Sequence, residues 1–233
     1  MESRIIPRLT EISHQEALRY LGIRGDPSGT LPEEQDLSRC ETVLRGAVRP
    51  RVVWRLFDLE SDGFLAGTSF RPEGESIRAL LRGCDGVILM AATLGAEVDL
   101  LLRRESRRNL VDAAMLDALA NTAIENVCDN LCLDLAQAVA PRMLTPRFSP
   151  GYGDFPLAQQ AAFCSVLDVS RRIGVSLTPG SLMVPQKSVT ALLGVSAHPP
   201  AARIAGCDAC SLSDRCLYRK EGLSCGQSSS RSA

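Results

Sequence analysis

Hydrophobic and polar residues alternate along the chain with two different periods, and the stronger period is helical. Between residues 110 and 139, apolar side chains return every three or four positions, at Leu116, Leu119, Ala120, Ala123, Ile124, Val127, Leu131 and Leu135. Another face of this stretch carries polar residues spaced by four, at Asp117, Asn121, Glu125 and Asp129. The pattern predicts one long amphipathic helix, which Pro141 ends.

Shorter segments predict the other helices. Ser13 and Glu16 have the Ser-x-x-Glu form of a capping box, which predicts a short helix through Leu21. Pro156 and Gly174 are placed to begin and to end a later helix. The patterns therefore predict further helices over residues 33–46, 73–84, 93–106 and 157–174.

Three segments have the composition of strands. Residues 51–60 are rich in valine and aromatic side chains, residues 86–92 form an apolar run, and residues 187–196 contain valine and leucine. These strands and the helices do not alternate as regular βαβ units. The order of elements therefore predicts an α+β fold rather than a doubly wound parallel sheet.

Composition and charge exclude several classes of function. The chain is 45% hydrophobic and 23% charged, which is typical of a globular protein. Its net charge of −1 and its dispersed arginines and lysines argue against a nucleic-acid or anionic-membrane partner. We expect a cytoplasmic protein, because the N-terminus lacks an apolar run of signal-peptide length and no stretch reaches the roughly 18 apolar residues of a membrane helix.

The nine cysteines fall into two groups. Those that lie singly in apolar or helical patterns are expected to be buried, namely Cys40, Cys84, Cys128, Cys132 and Cys164. The others crowd near the C-terminus with the spacing C-x2-C-x5-C-x8-C, at Cys207, Cys210, Cys216 and Cys225. Four thiolates can hold a [4Fe–4S] cluster or a zinc ion. The spacing matches neither a ferredoxin nor a zinc ribbon, so free thiols are a third alternative.

The segment RFSPGYGDFP, residues 147–156, has no helical or strand period and is a candidate ligand-binding loop. Arg147 can bind a carboxylate through two parallel hydrogen bonds. Gly151 and Gly153 would let backbone amides approach a ligand, and Tyr152 offers an aromatic face. Pro150 and Pro156 within the loop and Pro146 just before it stiffen the loop, which reduces the entropy lost on binding. From these residues alone, a plain connection between two helices remains the alternative.

A second irregular segment, LTPGSLMVPQKSV over residues 177–189, makes the interpretation of the loop as a binding site more specific. The loop, a helix and this segment, taken in order, resemble the S-adenosylmethionine-binding reactivation domain of cobalamin-dependent methionine synthase. The resemblance covers residues 110–196 and is weaker over 1–109. Its matched positions are Arg147, Pro150, Gly151 and Tyr152, then Leu177, Thr178, Met183, Pro185, Ser188 and Val189.

The resemblance implies a fold and a ligand site. The expected fold is a single domain with an antiparallel sheet and long helices over residues 1–205, followed by a Cys-rich segment at 206–226 and a disordered tail at 227–233. In the site, Arg147 would bind the methionyl carboxylate of S-adenosylmethionine. The backbone of Ser149 and the side chain of Tyr152 would help to hold the adenosine portion, and Gly151 would let the backbone approach the ligand. Glu125 or Asp129 would meet the amino and ribose groups. The alternative for the acidic line is a solvated helix face.

The implied function is reductive methylation of cob(II)alamin. No Asp-x-His-x-x-Gly motif occurs, and His14 and His198 are expected to be surface or cap residues. The chain would therefore act as a free-standing activation subunit on a separate cobalamin-binding methionine synthase or corrinoid protein, with an electron donor such as a flavodoxin or ferredoxin. No side chain is predicted to be catalytic, because the cobalt accepts the methyl group.

Two alternative functions are also compatible with the sequence. The chain could be an iron–sulfur reductive activator of another corrinoid methyltransferase, in which the cysteine tail relays electrons. It could also be a non-catalytic, metal-stabilised adaptor whose tail docks on a partner.

Overall fold

The computed structural model of the protein describes residues 5–23, 34–199 and Asp214. The strands of this described part are β1 (Arg51–Asp58), β2 (Gly86–Thr93), β3 (Met143–Leu144), β4 (Ser176–Leu177), β5 (Met183–Val184) and β6 (Ser188–Ser196). A four-stranded antiparallel sheet has the order β1–β2–β6–β3, and β4 and β5 form a separate hairpin.

Helices precede and follow the long strands in an irregular order. They are α1 (His14–Tyr20), α2 (Glu34–Ala47), α3 (Glu75–Leu80), α4 (Ala96–Glu105), α5 (Leu110–Val139), the 3-10 helix η1 (Leu157–Gln159), α6 (Gln160–Leu167) and α7 (Val169–Ile173). The predicted α+β fold with an antiparallel sheet and a long helix is confirmed. Among the described residues, no helix is both long enough and apolar enough to cross a membrane.

Strand β2 lies in the middle of the molecule, and all eight of its residues are buried. Ile88 and Met90 face a core that includes side chains of α1, α2, α4 and α5. Val87 and Leu89 face a second core, which includes side chains of α3, α6 and α7. Because both faces of the sheet are covered, the strand sequence is a continuous apolar run and not an alternating one.

Helix α5 has the bounds that its apolar period predicts. The side chain of Asn109 caps its first turn by accepting hydrogen bonds from the N–H groups of Val111 (3.0 Å) and Asp112 (3.3 Å). Its apolar face, including the buried Leu119 and Leu135, packs in the first core. The polar face with the four-residue spacing is left at the edge of the sheet.

The single helix predicted over residues 157–174 is wrong, because the chain breaks at Asp168. This residue has φ 52° and ψ 44°, in the left-handed region that aspartate tolerates better than most residues. A continuous helix that buries Phe163 and Leu167 would next turn the polar Ser170 and Arg171 inward. The break instead rotates Val169 and Ile173 into the second core, where both are buried.

The N-terminal segment packs along α5, and it places His14 differently from the expected surface or cap position. The His14 side chain is only 19% exposed. Its Nδ1 lies 2.6 Å from Glu34 and its Nε2 lies 2.7 Å from Glu41, both on α2. Because the two carboxylates come from 20 and 27 residues away, no local pattern indicated this contact.

The predicted cysteine site falls in a part of the chain that is not described. Cys207, Cys210, Cys216 and Cys225, and the tail predicted over 227–233, lie outside the described residues. The remaining cysteines are free thiols. Cys40, Cys128 and Cys164 are buried as expected, whereas Cys84 and Cys132 are only partly buried.

Candidate functional site

A cleft opens where α5, the loop of residues 147–156 and the outer edge of β6 meet. β3 pairs with the end of β6, and Phe148 exchanges two backbone hydrogen bonds with Leu192. In the described part of the chain, no strand pairs with the outer edge of residues 188–191. This unpaired edge forms the floor of the cleft.

Arg147 is the central charged group of the cleft. Its Nη2 donates hydrogen bonds to Glu125 (2.9 Å) and to Asp129 (2.7 Å), one turn apart on α5. The side chain is only 23% exposed. The other terminal nitrogen, Nη1, is buried and has no hydrogen-bond partner among the described residues. A buried N–H of a charged group without a partner is costly, so this nitrogen is suited to donate a hydrogen bond to an acceptor atom of a ligand.

Neighbouring groups keep Arg147 charged, and burial keeps the nearby thiols neutral. Burial lowers the pKa of Arg147, but the groups beside it, Cys128, Glu125, Cys132 and Asp129, outweigh burial and raise this pKa above its ordinary value. Burial raises the pKa of the Cys128 thiol, and it raises that of Cys132 to about 11. Both thiols are therefore protonated near neutral pH and are poor nucleophiles.

The cleft contains a cavity with charged walls. Its volume is about 260 Å³, and its lining includes Arg147, Glu125, Ser149, Tyr152 and Val189. Tyr152 is 51% exposed and packs edge-on against Phe148, with the ring centroids 5.2 Å apart. The structure therefore places the predicted residues Arg147, Glu125, Ser149 and Tyr152 on one cavity, while Asp129 reaches it through its bond to Arg147.

A second cavity, of about 500 Å³, adjoins the first and shares Ser149 and Val189 with it. Its walls are uncharged and include apolar side chains such as Leu157, Leu182 and Met183, and the polar side chains among them are Ser149, Gln160, Thr178, Ser181, Gln186, Ser188 and Thr190. Gln160 is 2% exposed and donates to the hydroxyl of Thr190 (2.8 Å). Sequence reasoning missed Gln160, since a glutamine in a helix carries no signal of its own. The two cavities together give the cleft a charged end and an uncharged end, and the uncharged end has both polar and apolar walls.

The loop that carries Arg147 is fixed by its own aromatic residues and turn. Phe155 and Phe148 are buried in the second core. The N–H of Gly151 donates to the carbonyl of Phe155 (2.8 Å), and Gly151 has φ 87°, which favours glycine. Its amide is therefore used within the loop, and Gly151 lines neither of the two cavities.

Asp154 ties the same loop to α3. Its carboxylate accepts hydrogen bonds from the N–H groups of Glu75 (2.6 Å) and Ser76 (3.1 Å), and so caps a helix that is far away in sequence. The contact requires a glycine before α3. A Cβ on Gly74 would lie 2.9 Å from the carbonyl oxygen of Asp154, and Gly74 has φ 122°.

Lys187 forms a second ionic cluster on the polar face of α5. Its Nζ lies 2.8 Å from Asp117 and 2.7 Å from the carbonyl oxygen of the Asn121 side chain. Its side chain is 11% exposed. The polar line of α5 thus meets Lys187 at its first half and Arg147 at its second half.

Metal ligands do not cluster at the cleft. Within the described ranges, no group of three or more His, Cys, Asp or Glu side chains is arranged to hold a metal ion.

The fold and the cleft define an α+β domain with a ligand-sized groove at a sheet edge, and a solved structure has the same architecture. The chain is similar to the MetH reactivation domain, whose crystal structure has AdoHcy bound. The TM-score is 0.59 at 16% sequence identity, over 89% of this chain and 80% of that one. This likeness establishes the fold. No family model and no curated protein matches the sequence.

Proposed function

We propose that this chain binds S-adenosylmethionine in the cleft and supports the reductive methylation of a cobalamin held by another protein. The observation that carries the proposal is the unpartnered Nη1 of the buried Arg147. Glu125 and Asp129 hold the same guanidinium through Nη2 and leave Nη1 free for a ligand carboxylate. The order of motifs and the shared fold with the MetH reactivation domain support the same ligand.

The groups of S-adenosylmethionine correspond to the two ends of the cleft. Its carboxylate would bind Arg147, and its ammonium would lie toward Glu125 and Asp129. The uncharged adenosine would lie along Ser149 and Tyr152, toward the uncharged cavity that Gln160 lines. A zwitterion joined to an aromatic base requires this combination of charged and neutral surfaces.

The residues of this chain would bind and orient the methyl donor. Bound S-adenosylmethionine supplies a methyl group, and the acceptor is the cobalt of a cobalamin on the partner, after one-electron reduction by a donor such as a flavodoxin or ferredoxin. The thiols nearest the cleft, Cys128 and Cys132, are protonated near neutral pH, so we assign no catalytic residue. The rigid loop would reduce the entropy lost on binding.

Calorimetric titration of the full chain with S-adenosylmethionine tests the proposal. Arg147→Ala should weaken binding at least thirtyfold, because removing one side of a buried charged hydrogen bond costs about 2–5 kcal/mol. Arg142→Ala is the matched control, since Arg142 lies five residues earlier and pairs with Asp85 (3.6 Å). Equal affinity for the two variants, or no binding by the wild type, would refute the proposed site.

For the cysteine-rich segment we propose a separate site, in which a [4Fe–4S] cluster or a zinc ion is held by Cys207, Cys210, Cys216 and Cys225. Anaerobic metal analysis separates the alternatives. Iron with labile sulfide would favour an electron relay, and zinc would favour a structural or docking role. A chain without bound metal would indicate free thiols.

A further inference from the structure

The charges around Arg147 do not balance. One guanidinium faces two carboxylates, those of Glu125 (2.9 Å) and Asp129 (2.7 Å), which leaves this end of the cleft with a net charge of −1. The neighbouring Lys187 does not correct the difference, because it is paired with Asp117 (2.8 Å). Arg147 is mostly buried, so the imbalance lies beside a desolvated group and is less screened than on an open surface.

The charge of S-adenosylmethionine is opposite to this imbalance. The ligand carries a carboxylate, an ammonium and a sulfonium, for a net charge of +1. Its demethylated form, S-adenosylhomocysteine, has a neutral thioether and a net charge of zero. With the methyl donor bound, this end of the cleft would be neutral, whereas with the demethylated product it would keep a net charge of −1.

We infer that Glu125 and Asp129 make the cleft selective for the sulfonium ligand over its demethylated product. The inference rests on the proposed function and extends it to specificity and product release. One carboxylate would be needed to balance Arg147, and the second supplies the charge that distinguishes the two ligands. After methyl transfer, the cleft would bind the product S-adenosylhomocysteine less tightly. The product would then dissociate, and another molecule of S-adenosylmethionine could bind.

Distances in the site make the preference for the sulfonium ligand measurable but moderate. Four bonds of about 1.5 Å place the sulfur roughly 5 Å from the ligand ammonium nitrogen. An ammonium in hydrogen-bond contact with Glu125 or Asp129, at about 3 Å, would therefore hold the sulfonium within roughly 8 Å of that carboxylate, which is one Debye length at physiological salt. Glu125 and Asp129 are 46% and 55% exposed, so water weakens the attraction. We expect the donor to bind about threefold to tenfold tighter than the product.

The test compares the dissociation constants of both ligands on the full chain. In the wild type, the preference of about threefold to tenfold should fall toward one as the salt concentration rises. Asp129→Asn removes one charge but keeps a hydrogen-bond acceptor for Arg147, and it should remove most of the preference. An analogue with a C–NH3+ group in place of the sulfonium should bind like the donor, which separates charge from contact with the methyl group.

Asp117→Asn is the matched control. It removes the same charge from the same face of α5, but twelve residues earlier, or about 18 Å along the helix. The preference should be unchanged in this variant. Equal affinities for the two ligands in the wild type, or a preference that Asp129→Asn leaves intact, would overturn the inference while leaving the proposed function standing. If neither ligand binds, the proposed function falls and this inference falls with it.

Discussion

Two cations lie against the same polar face of α5, and they differ in what they leave unsatisfied. Lys187 is 11% exposed and is held by Asp117 and Asn121. Arg147 is 23% exposed and also has two partners on the helix, Glu125 and Asp129. Arg147 nevertheless keeps one buried nitrogen, Nη1, without a partner among the described residues.

This difference separates an ion pair that stabilises the fold from one that is prepared for a ligand. The flexible lysine chain places a point charge between two oxygens, and this contact joins the segment just before β6 to α5. The planar guanidinium of Arg147 cannot direct all of its donors toward one helix. A count of salt bridges would treat the two clusters alike, whereas the hydrogen-bond partners of each nitrogen distinguish them.

The largest expected effect comes from releasing the loop that holds Arg147. Phe155 is 1% exposed, and Phe155→Ala should lower the free energy of unfolding by about 3–5 kcal/mol. It should also weaken S-adenosylmethionine binding, because Arg147 would no longer be fixed. Chemical denaturation measures the first effect, and calorimetry below the unfolding transition measures the second.

Tyr152→Ala provides the contrast for that experiment. Tyr152 is 51% exposed, so its removal should change stability by no more than about 0.5 kcal/mol while it reduces affinity for the ligand. If Phe155→Ala keeps full affinity, the loop is not what positions Arg147.

A smaller effect is expected at the other cation. Lys187→Met should lower stability by about 0.5–1 kcal/mol, because it removes an ion pair with Asp117, which is 53% exposed, and a hydrogen bond to Asn121. Affinity for S-adenosylmethionine should stay within about twofold of the wild type. Arg147→Met should show the reverse pattern, with a large loss of affinity.

A double-mutant cycle of Lys187→Met with Asp117→Asn would measure the coupling of the pair directly. A loss of ligand affinity above tenfold in Lys187→Met would contradict the division between a structural and a ligand-binding cation.

The smallest effect should come from His14, which joins α1 to α2 beside α5. Burial lowers the pKa of His14, but bonds to Glu34 and Glu41 outweigh it and raise this pKa above 6.5. The added stability is therefore complete below pH 6.5 and is lost as the pH rises through the folded-state value. His14→Gln should reduce stability by less than about 1 kcal/mol at pH 6 and by less still at pH 9.

Thermal melts of the wild type and His14→Gln across this pH range would test that prediction. Glu41 also pairs with Arg45 (2.7 Å), so its own charge should persist throughout. A difference between the two proteins that grows with pH would contradict it.

The strongly periodic elements could be predicted from the sequence. The apolar positions of α5 gave its bounds, and the run of residues 86–92 indicated the buried strand β2. The break at Asp168 was also readable, because an unbroken helix would turn Ser170 and Arg171 inward. Composition and the terminal glycine alone predict one helix there, because neither reports which side chains the helix would turn toward the core.

The contacts that complete the site could not be predicted in this way. Lys187 is 66 residues from Asn121, and Asp154 is 79 residues from the helix that it caps. Neither pair has a local signature, because each depends on how α5, β6 and α3 lie around the sheet. The position of Arg147 was predicted from the resemblance between motifs, and its free Nη1 became visible only in three dimensions.

The close contact at Gly74 has a genetic consequence. Gly74 lines neither cavity, yet an added methyl group there would press on the carbonyl oxygen of Asp154, at 2.9 Å. Every other amino acid would push the loop away from α3. A screen of random mutants for lost activity should therefore recover substitutions of Gly74 as well as of Arg147. Related sequences should keep this glycine as strictly as a residue that touches the ligand.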